Sequence, residues 1–379
     1  MKKVIAIVLA LVLALGLVAC TSTTTTSTTT ETTEPTEAGL KICIITSSGV
    51  DDGSFNQNCY EGAQAFIASH PDCTLTDVKE EDLNELVPTV EKLAGDYDVF
   101  LLPGFNFANV GDVAAANPDK QFIVIDSTVN YSDGVEPAGN VYTMTFKEYE
   151  SGFFCGVAAA CETKTGKVAV INGIAYPSNV NYEYGFYSGV YYANSTYGTT
   201  AEIVELSSFA GTDVLGNNVG GNYVGSFADP DTAKQITQSL IGEGVDIIFS
   251  ACGSSSAGIF TGIKEANGVY IIGCDVDQYD DGANGDSNIV LTSSLKVMDM
   301  NVEKQLNAIY DGTFTAEDAL LGADTGSTGI VTTEGRHQMS ADTVAKLEEV
   351  FPLVADGTIV PAGDATSAST CYDPTTFIK

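Results

Sequence analysis

The sequence predicts an α/β protein of two lobes, each a parallel sheet flanked by helices. Three observations carry this. Short apolar runs alternate with longer amphipathic ones along most of the chain. The alternation begins near Lys41 and starts afresh after about Thr145, giving two similar halves. The short runs (KICIIT, VFLL, FIVI) are almost continuously apolar, as strands covered on both faces must be.

Taken in order, Lys41–Thr46 reads as the first strand. Ser54–Ser69 reads as a helix, with Phe55, Tyr60, Ala63, Phe66 and Ile67 mainly on one face and Ser54 placed to cap it. Leu75–Val78 is a strand, Leu83–Leu93 a helix, and Val99–Leu102 a strand stopped by Pro103-Gly104. A helix near Val110–Ala116 leads to the strand Phe122–Ile125. In the second half, the helix Tyr149–Glu162 leads to strand Val168–Ile171, and helix Tyr182–Ala193 to strand Glu202–Leu206. Helix Thr232–Ile241 leads to strand Asp246–Phe249, and helix Ala257–Ala266 to strand Val269–Ile272. Strand Ile289–Leu291 and helix Lys296–Tyr310 follow.

The N-terminus has a different character. Met1-Lys2-Lys3 precedes an apolar run, Val4–Val18, too short for a comfortable permanent span. Leu17-Val18-Ala19-Cys20 then has the order of a bacterial lipobox. Residues 1–19 are expected to be a signal peptide cut before Cys20, whose thiol takes a diacylglycerol and whose new N-terminus is acylated, with palmitate as the expected chain. Several chains on one residue anchor stably where a single chain does not. Residues 20–39 continue as a Thr-rich stalk without apolar periodicity, which cannot bury a core.

Charge narrows the partners. Fifty acidic against 16 basic residues give a net charge of −34, a field that repels nucleic acid. Arg336 is the sole arginine and lies outside every strand-end loop, so a bidentate fork for carboxylate or phosphate is absent from those loops. The two histidines, His70 and His337, are far apart in polar contexts. The eight cysteines after Cys20 form no CxxC pair; scattered buried thiols fit best, with a surface disulfide through Cys59, Cys73 or Cys371 left open. Asp275, Asp277, Asp280, Asp281 and Asp286 share one loop, but without the EF-hand order, so no metal and no cofactor is assigned.

In open α/β sheets ligands collect beyond the carboxyl ends of strands. The residues there are Ser47–Asn56, Pro103–Asn106, Asp126-Ser127, Asn172-Gly173, Ser250–Ser255, Asp275–Asp277 and Ser293-Ser294 leading to Lys296. They are small, polar and acidic, with Phe55 and Phe105 among them. No nucleophile–base spacing and no phosphate-cradling glycine loop occurs, which favours binding over catalysis.

At these loops the chain resembles the basic membrane lipoprotein family, the purine-nucleoside-receptor-like substrate-binding lipoproteins of ABC importers. The motifs are VDDGSFNQNCYEGAQAF (Val50–Phe66), NPDKQFIVIDS (Asn117–Ser127), GVAAACETKTGKVAVI (Gly156–Ile171), YVGSFADPDTAKQ (Tyr223–Gln235), GVDIIFSACGSS (Gly244–Ser255), IIGCDVDQ (Ile271–Gln278) and VLTSSLK (Val290–Lys296). The resemblance implies an aromatic sandwich of Phe55 and Phe227 around a flat base; read alone, either ring is equally compatible with a core. It further implies Asp126, Asp275 and Lys296 as polar contacts to sugar or base. Asn56 and Gly253 are added as contributors, the latter through close backbone approach. Asp51 and Asp52 are expected to order the loop or cap the helix. Thr46 stands where relatives often carry Asp or Asn. Tyr182 or Asn181 could reach the cleft from a helix whose tyrosines otherwise read as core.

These readings combine into a two-lobed, periplasmic-binding-protein-like fold (type I) with three crossovers. The first lobe is expected to hold 40–145 plus 276–311, and the second 146–275 plus 312–379. The expected function is a lipid-anchored, extracytoplasmic receptor, not an enzyme. It would be a monomer, bind purine nucleosides between the lobes and deliver them to an ABC permease. The alternatives are a ribose-like sugar receptor of the same fold and a nucleoside-cleaving enzyme.

Overall fold

The computed structural model describes residues 39–377; the signal peptide, Cys20 and the stalk assigned from sequence lie outside them. The described residues form one compact unit.

Two six-stranded sheets organise this unit. The first runs, in spatial order, Glu317–Leu321, Val141–Phe146, Gln121–Ile125, Val99–Pro103, Lys41–Thr46 and Thr74–Lys79, and every pairing is parallel. The second runs Thr328–Ile330, Val290–Lys296, Tyr270–Gly273, Ile247–Ala251, Lys167–Asn172 and Glu202–Ile203. It is parallel except at its edge, where Thr328–Ile330 runs against Val290–Lys296. The returning chain enters beside the end of that strand, pairing Thr328 with Lys296, and so has to run backwards along it. The central strands are apolar because helices cover both faces; all five residues of Val99–Pro103 and of Ile247–Ala251 are buried.

These pairings correct the expected lobe boundaries. Val290–Lys296 belongs to the second sheet, not the first. Helix Met298–Tyr310 packs Met298, Val302 and Leu306 into one core with Ile42 of the first sheet and Cys59 and Phe66 of helix Phe55–Ser69. Glu317–Leu321 then extends the first sheet, although the sequence reading placed it in the second lobe. The chain therefore crosses between sheets near Lys147, Val297 and Gly322–Ser327. Lys147, Glu150 and Val297 staple these crossovers: Lys147 Nζ lies 3.1 Å from Asp324, Glu150 Oε2 accepts from Ala323 N and Thr328 Oγ1 at 2.6 Å, and Val297 N donates to Ser327 O.

Of the side chains offered as caps for helix Phe55–Ser69, Asp52 takes the role and Ser54 does not. Ser54 makes no capping bond. The Asp52 carboxylate does the work, accepting from the backbone N–H groups of Ser54, Asn56 and Gln57 at 3.0–3.1 Å. A carboxylate there also meets the positive end of the helix dipole.

The helix after the first crossover, Glu148–Glu162, lies against Pro177–Thr196 with backbone touching backbone. Each carries glycines four apart, Gly152 with Gly156 and Gly185 with Gly189. A Cβ on Gly156 would stand 2.1 Å from Phe186 O, and one on Gly189 2.1 Å from Phe153 O. No side chain fits there, so glycine is required for this approach rather than for its flexibility. The contact fixes Glu148 and Tyr182 relative to each other.

Candidate functional site

The carboxyl ends of strands from both sheets converge on one cavity of about 810 Å³ of atom-free space, its open mouth included. The first sheet contributes Ser47, Ser48, Pro103–Asn106 and Asp126; the second contributes Ile174, Tyr176, Asn179, Ala251, Gly253, Cys274, Asp275 and Lys296. All seven residues expected from sequence (Phe55, Asn56, Asp126, Phe227, Gly253, Asp275 and Lys296) line this one cavity.

Aromatic rings form the apolar walls. Phe55 starts its helix at the rim, half-buried. Phe227 lies on Gly173, where a Cβ would come within 2.3 Å of its ring, and beside Gly253, whose φ is +54°. Two small residues thus let this ring settle on the second sheet's strand ends. Tyr176 stands between Phe227 and Phe105, with ring centres 5.9 and 5.2 Å away, so three aromatics bridge the two lobes. Tyr176 was not among the expected site residues; Pro177, which opens the following helix, is the signal that this ring sits in a strand-end loop.

The polar wall is built on Lys296. Its ammonium is 2% exposed, hydrogen-bonded to Asp126 Oδ2 and 3.0 Å from Glu148 Oε1. It also stands 5.0 Å from the Phe55 ring centre, 5.2 Å from Phe146 and 5.9 Å from Tyr182. Burial works against the charged amine, but the Asp126, Glu148 and Asp275 carboxylates outweigh it and hold the pKa above that of an ordinary lysine. Burial pushes the Asp126 carboxyl up; Lys296 pulls it back, and Glu148 adds an upward push of like charge.

Asp126 and Asp275 are the two non-glycine residues of the described chain with positive φ, at 63° and 68°. Aspartate tolerates this left-handed turn better than most residues, and such conformations gather at binding sites. Both turns aim a carboxylate into the cleft directly after a strand. Their surroundings differ. Asp275 accepts from Tyr182 Oη at 2.9 Å and from Ser54 Oγ at 2.8 Å, so it ties the second lobe to the first. Gln278 Nε2 adds a bond to Gly53 O at 3.1 Å in the same place. Asp126 Oδ1, by contrast, is buried with no hydrogen-bond donor on it. A buried carboxylate oxygen left bare beside a cavity has room for a donor from a ligand or a water.

The remaining expectations resolve as follows. Asn56 donates to Ser48 Oγ at 2.9 Å and holds that loop in place. Of the two residues offered on the tyrosine-rich helix, Tyr182 lines the cavity, whereas Asn181 donates to Glu148 Oε2 at 3.1 Å. Arg336 is outside the strand-end loops in sequence, but its guanidinium reaches one, at 2.6 Å from Asp277 and 2.8 Å from Asp280. The acidic loop is therefore held by that fork. Among the described residues no cluster of three or more His, Cys, Asp or Glu side chains could hold a metal ion, all eight cysteines are free thiols, and no helix is long and apolar enough to cross a membrane.

Residues 40–207 and 217–359 match the family model described as ABC transporter substrate-binding protein PnrA-like. The chain belongs to this family. Similar members include the ABC transporter nucleoside-binding protein BmpA of Lactococcus lactis, 28% identical over 73% of this chain and 76% of that one. Basic membrane protein A of Borreliella burgdorferi is 32% identical over 63% and 64%. A CD4+ T-cell-stimulating antigen of Listeria monocytogenes is 29% identical over 94% and 98%. Among solved structures, an ABC transporter solute-binding protein from Aeropyrum pernix superposes with a TM-score of 0.72 at 22% identity, covering 86% of this chain and 94% of that one. The fold is that of the type I periplasmic-binding-protein-like receptors. As in the rest of the family, the function is substrate binding for an ABC transporter.

The buried ion cluster generates a prediction. Lys296→Met leaves Asp126 and Glu148 buried without their cation, a class of change that costs about 3–5 kcal/mol. Urea unfolding at pH 8 should show a loss of that order. The loss should shrink at pH 5, because burial already holds the Asp126 carboxyl well above the usual carboxylate range and protons then neutralise it. A loss below about 1 kcal/mol, equal at both pH values, would show that the cluster does not hold the fold together.

Proposed function

We propose that this family member binds purine nucleosides in the cleft and is anchored by acylated Cys20 on the extracytoplasmic face of the membrane. The carrying observation is the pairing of aromatic walls with the bare Asp126 Oδ1 beside the Lys296 ammonium. Phe55 from one lobe and Phe227 from the other offer flat apolar area for a purine at little entropy cost. A sugar hydroxyl both donates and accepts, so it suits a carboxylate oxygen without a donor next to a lysine N–H. Asp275, already engaged by Tyr182 and Ser54, serves closure across the cleft and offers its remaining lone pairs to the sugar. The relative from Lactococcus lactis, named for nucleoside binding, supports the ligand class. The receptor acts as a monomer and hands its ligand to a permease.

Charge sets the limit of what enters. A nucleotide phosphate would meet Asp126 and Asp275 with one lysine already paired and the single arginine engaged elsewhere. An unpaired buried phosphate costs several kcal/mol. Calorimetry should therefore find inosine, adenosine or guanosine bound at least about 100-fold tighter than the matching 5′-monophosphate, roughly 2.7 kcal/mol. Equal affinity for nucleoside and monophosphate contradicts the reading. Tight binding of free ribose would favour a sugar receptor, and release of free base from inosine an enzyme.

The anchor has its own test. Cys20→Ser should leave the precursor uncleaved or move the protein out of the membrane fraction. A variant that fractionates and migrates as the wild type does would remove the lipoprotein assignment.

A further inference from the structure

We infer that Glu148 is a positioning residue for ligand binding: it holds the Lys296 ammonium in place from behind the cavity, at the joint between the lobes. The inference rests on the nucleoside reading of the same cavity. Glu148 does not line the cavity. It is 2% exposed, its Oε1 lies 3.0 Å from Lys296 Nζ, and its Oε2 accepts from Asn181 Nδ2 at 3.1 Å. Both carboxylate oxygens are thereby used, one on the lysine and one on the neighbouring helix.

The placement in the chain gives this contact its consequence. Glu148 follows the first crossover directly, and Lys296 immediately precedes the second. The pair therefore clamps two of the strands' connections at the point about which the lobes would move. An ammonium has three N–H donors. One goes to Asp126, while Glu148 holds the charge as an ion pair at 3.0 Å, which leaves N–H capacity for the cavity that Lys296 lines. Without Glu148, a flexible four-carbon stem would have only Asp126 to fix its direction.

Glu148 also sets the electrostatic state of Asp126. Asp126 is faced by Lys296 on the strand Val290–Lys296, by Glu148 on the helix Glu148–Glu162, by Asp275 in the loop after Tyr270–Gly273 and by Cys59 on the helix Phe55–Ser69. Asp52 and Tyr182 act on the same group through Asp275. Glu148 is one of the two like charges that raise the Asp126 carboxyl. A ligand hydroxyl donates better to the ionised form, so affinity should rise with pH as Asp126 loses its proton. Removing the Glu148 charge should move that rise to lower pH.

The experiment is inosine titration from pH 5 to 9 with the full chain carrying Glu148→Gln or Glu148→Asp. Glu148→Gln should weaken inosine binding about tenfold or more at pH 8, because the ion pair that fixes the ammonium is lost. Its affinity–pH midpoint should fall, since the upward push of the Glu148 charge on Asp126 is gone. Glu148→Asp keeps the charge but is one methylene too short. It should lose affinity while keeping the wild-type midpoint, a split that a merely structural role would not produce. Wild-type affinity and midpoint in both variants would overturn the inference. The carboxyl of Asp126 can also be titrated without ligand by ¹³C NMR, assigned through Asp126→Asn. An unshifted midpoint in Glu148→Gln overturns the coupling whether or not inosine binds. Failure of the wild type itself to bind inosine would instead count against the nucleoside reading.

Discussion

One ammonium buried among carboxylates governs the arrangement of this molecule. Taking Lys296 out of water costs several kcal/mol unless its partners are close and well directed. Asp126 comes from the first lobe, Glu148 from the helix after the first crossover, and Lys296 from the last residue of a second-lobe strand. The charge can be satisfied only when these three segments meet, so the same contact that stabilises the lobes' junction also forms the polar wall of the cavity. Acid exceeds base there, and the surplus is handled by hydrogen-bond donors: Tyr182 and Ser54 serve Asp275, and Asp126 Oδ1 stays a buried acceptor without a donor.

That network needs rigid support, and the glycine-lined contact between helices Glu148–Glu162 and Pro177–Thr196 supplies it. With backbones this close, Glu148 and Asn181 meet directly and Tyr182 reaches Asp275. The tyrosines further along the second helix then have packing roles. Tyr184 joins Tyr223, Val219 and Ala362 in a buried cluster beneath the C-terminal segment. Function and packing thus divide one helix between its first turns and its remainder.

Much of this was legible in the sequence, because parallel strands buried on both faces leave apolar runs that are hard to mistake, and because ligands gather where those runs end. The rule located Phe55, Asp126, Gly253, Asp275 and Lys296 without reference to contacts. It passed over Val141–Phe146, whose Thr143 and Thr145 interrupt the apolar run, and so passed over Glu148 just beyond it. The lobe assignment of Val290–Lys296 was illegible for another reason: strand order depends on which sheet edge the chain returns to, and no local pattern encodes that. Ser54 looked like a cap because hydroxyl residues favour that position. The nearby Asp52 is the better acceptor for three N–H groups, which frees Ser54 to bridge the cleft.

The account centres on a division of the cavity into an aromatic wall for a base and a charged wall for a sugar. A crystal structure of the full chain grown with inosine measures this directly. The account predicts the base between Phe55 and Phe227, with sugar hydroxyls in hydrogen-bond contact with Asp126 Oδ1 and Lys296 Nζ. Inosine seated the other way round, base against Asp126 and Lys296, or bound outside this cleft, would contradict it.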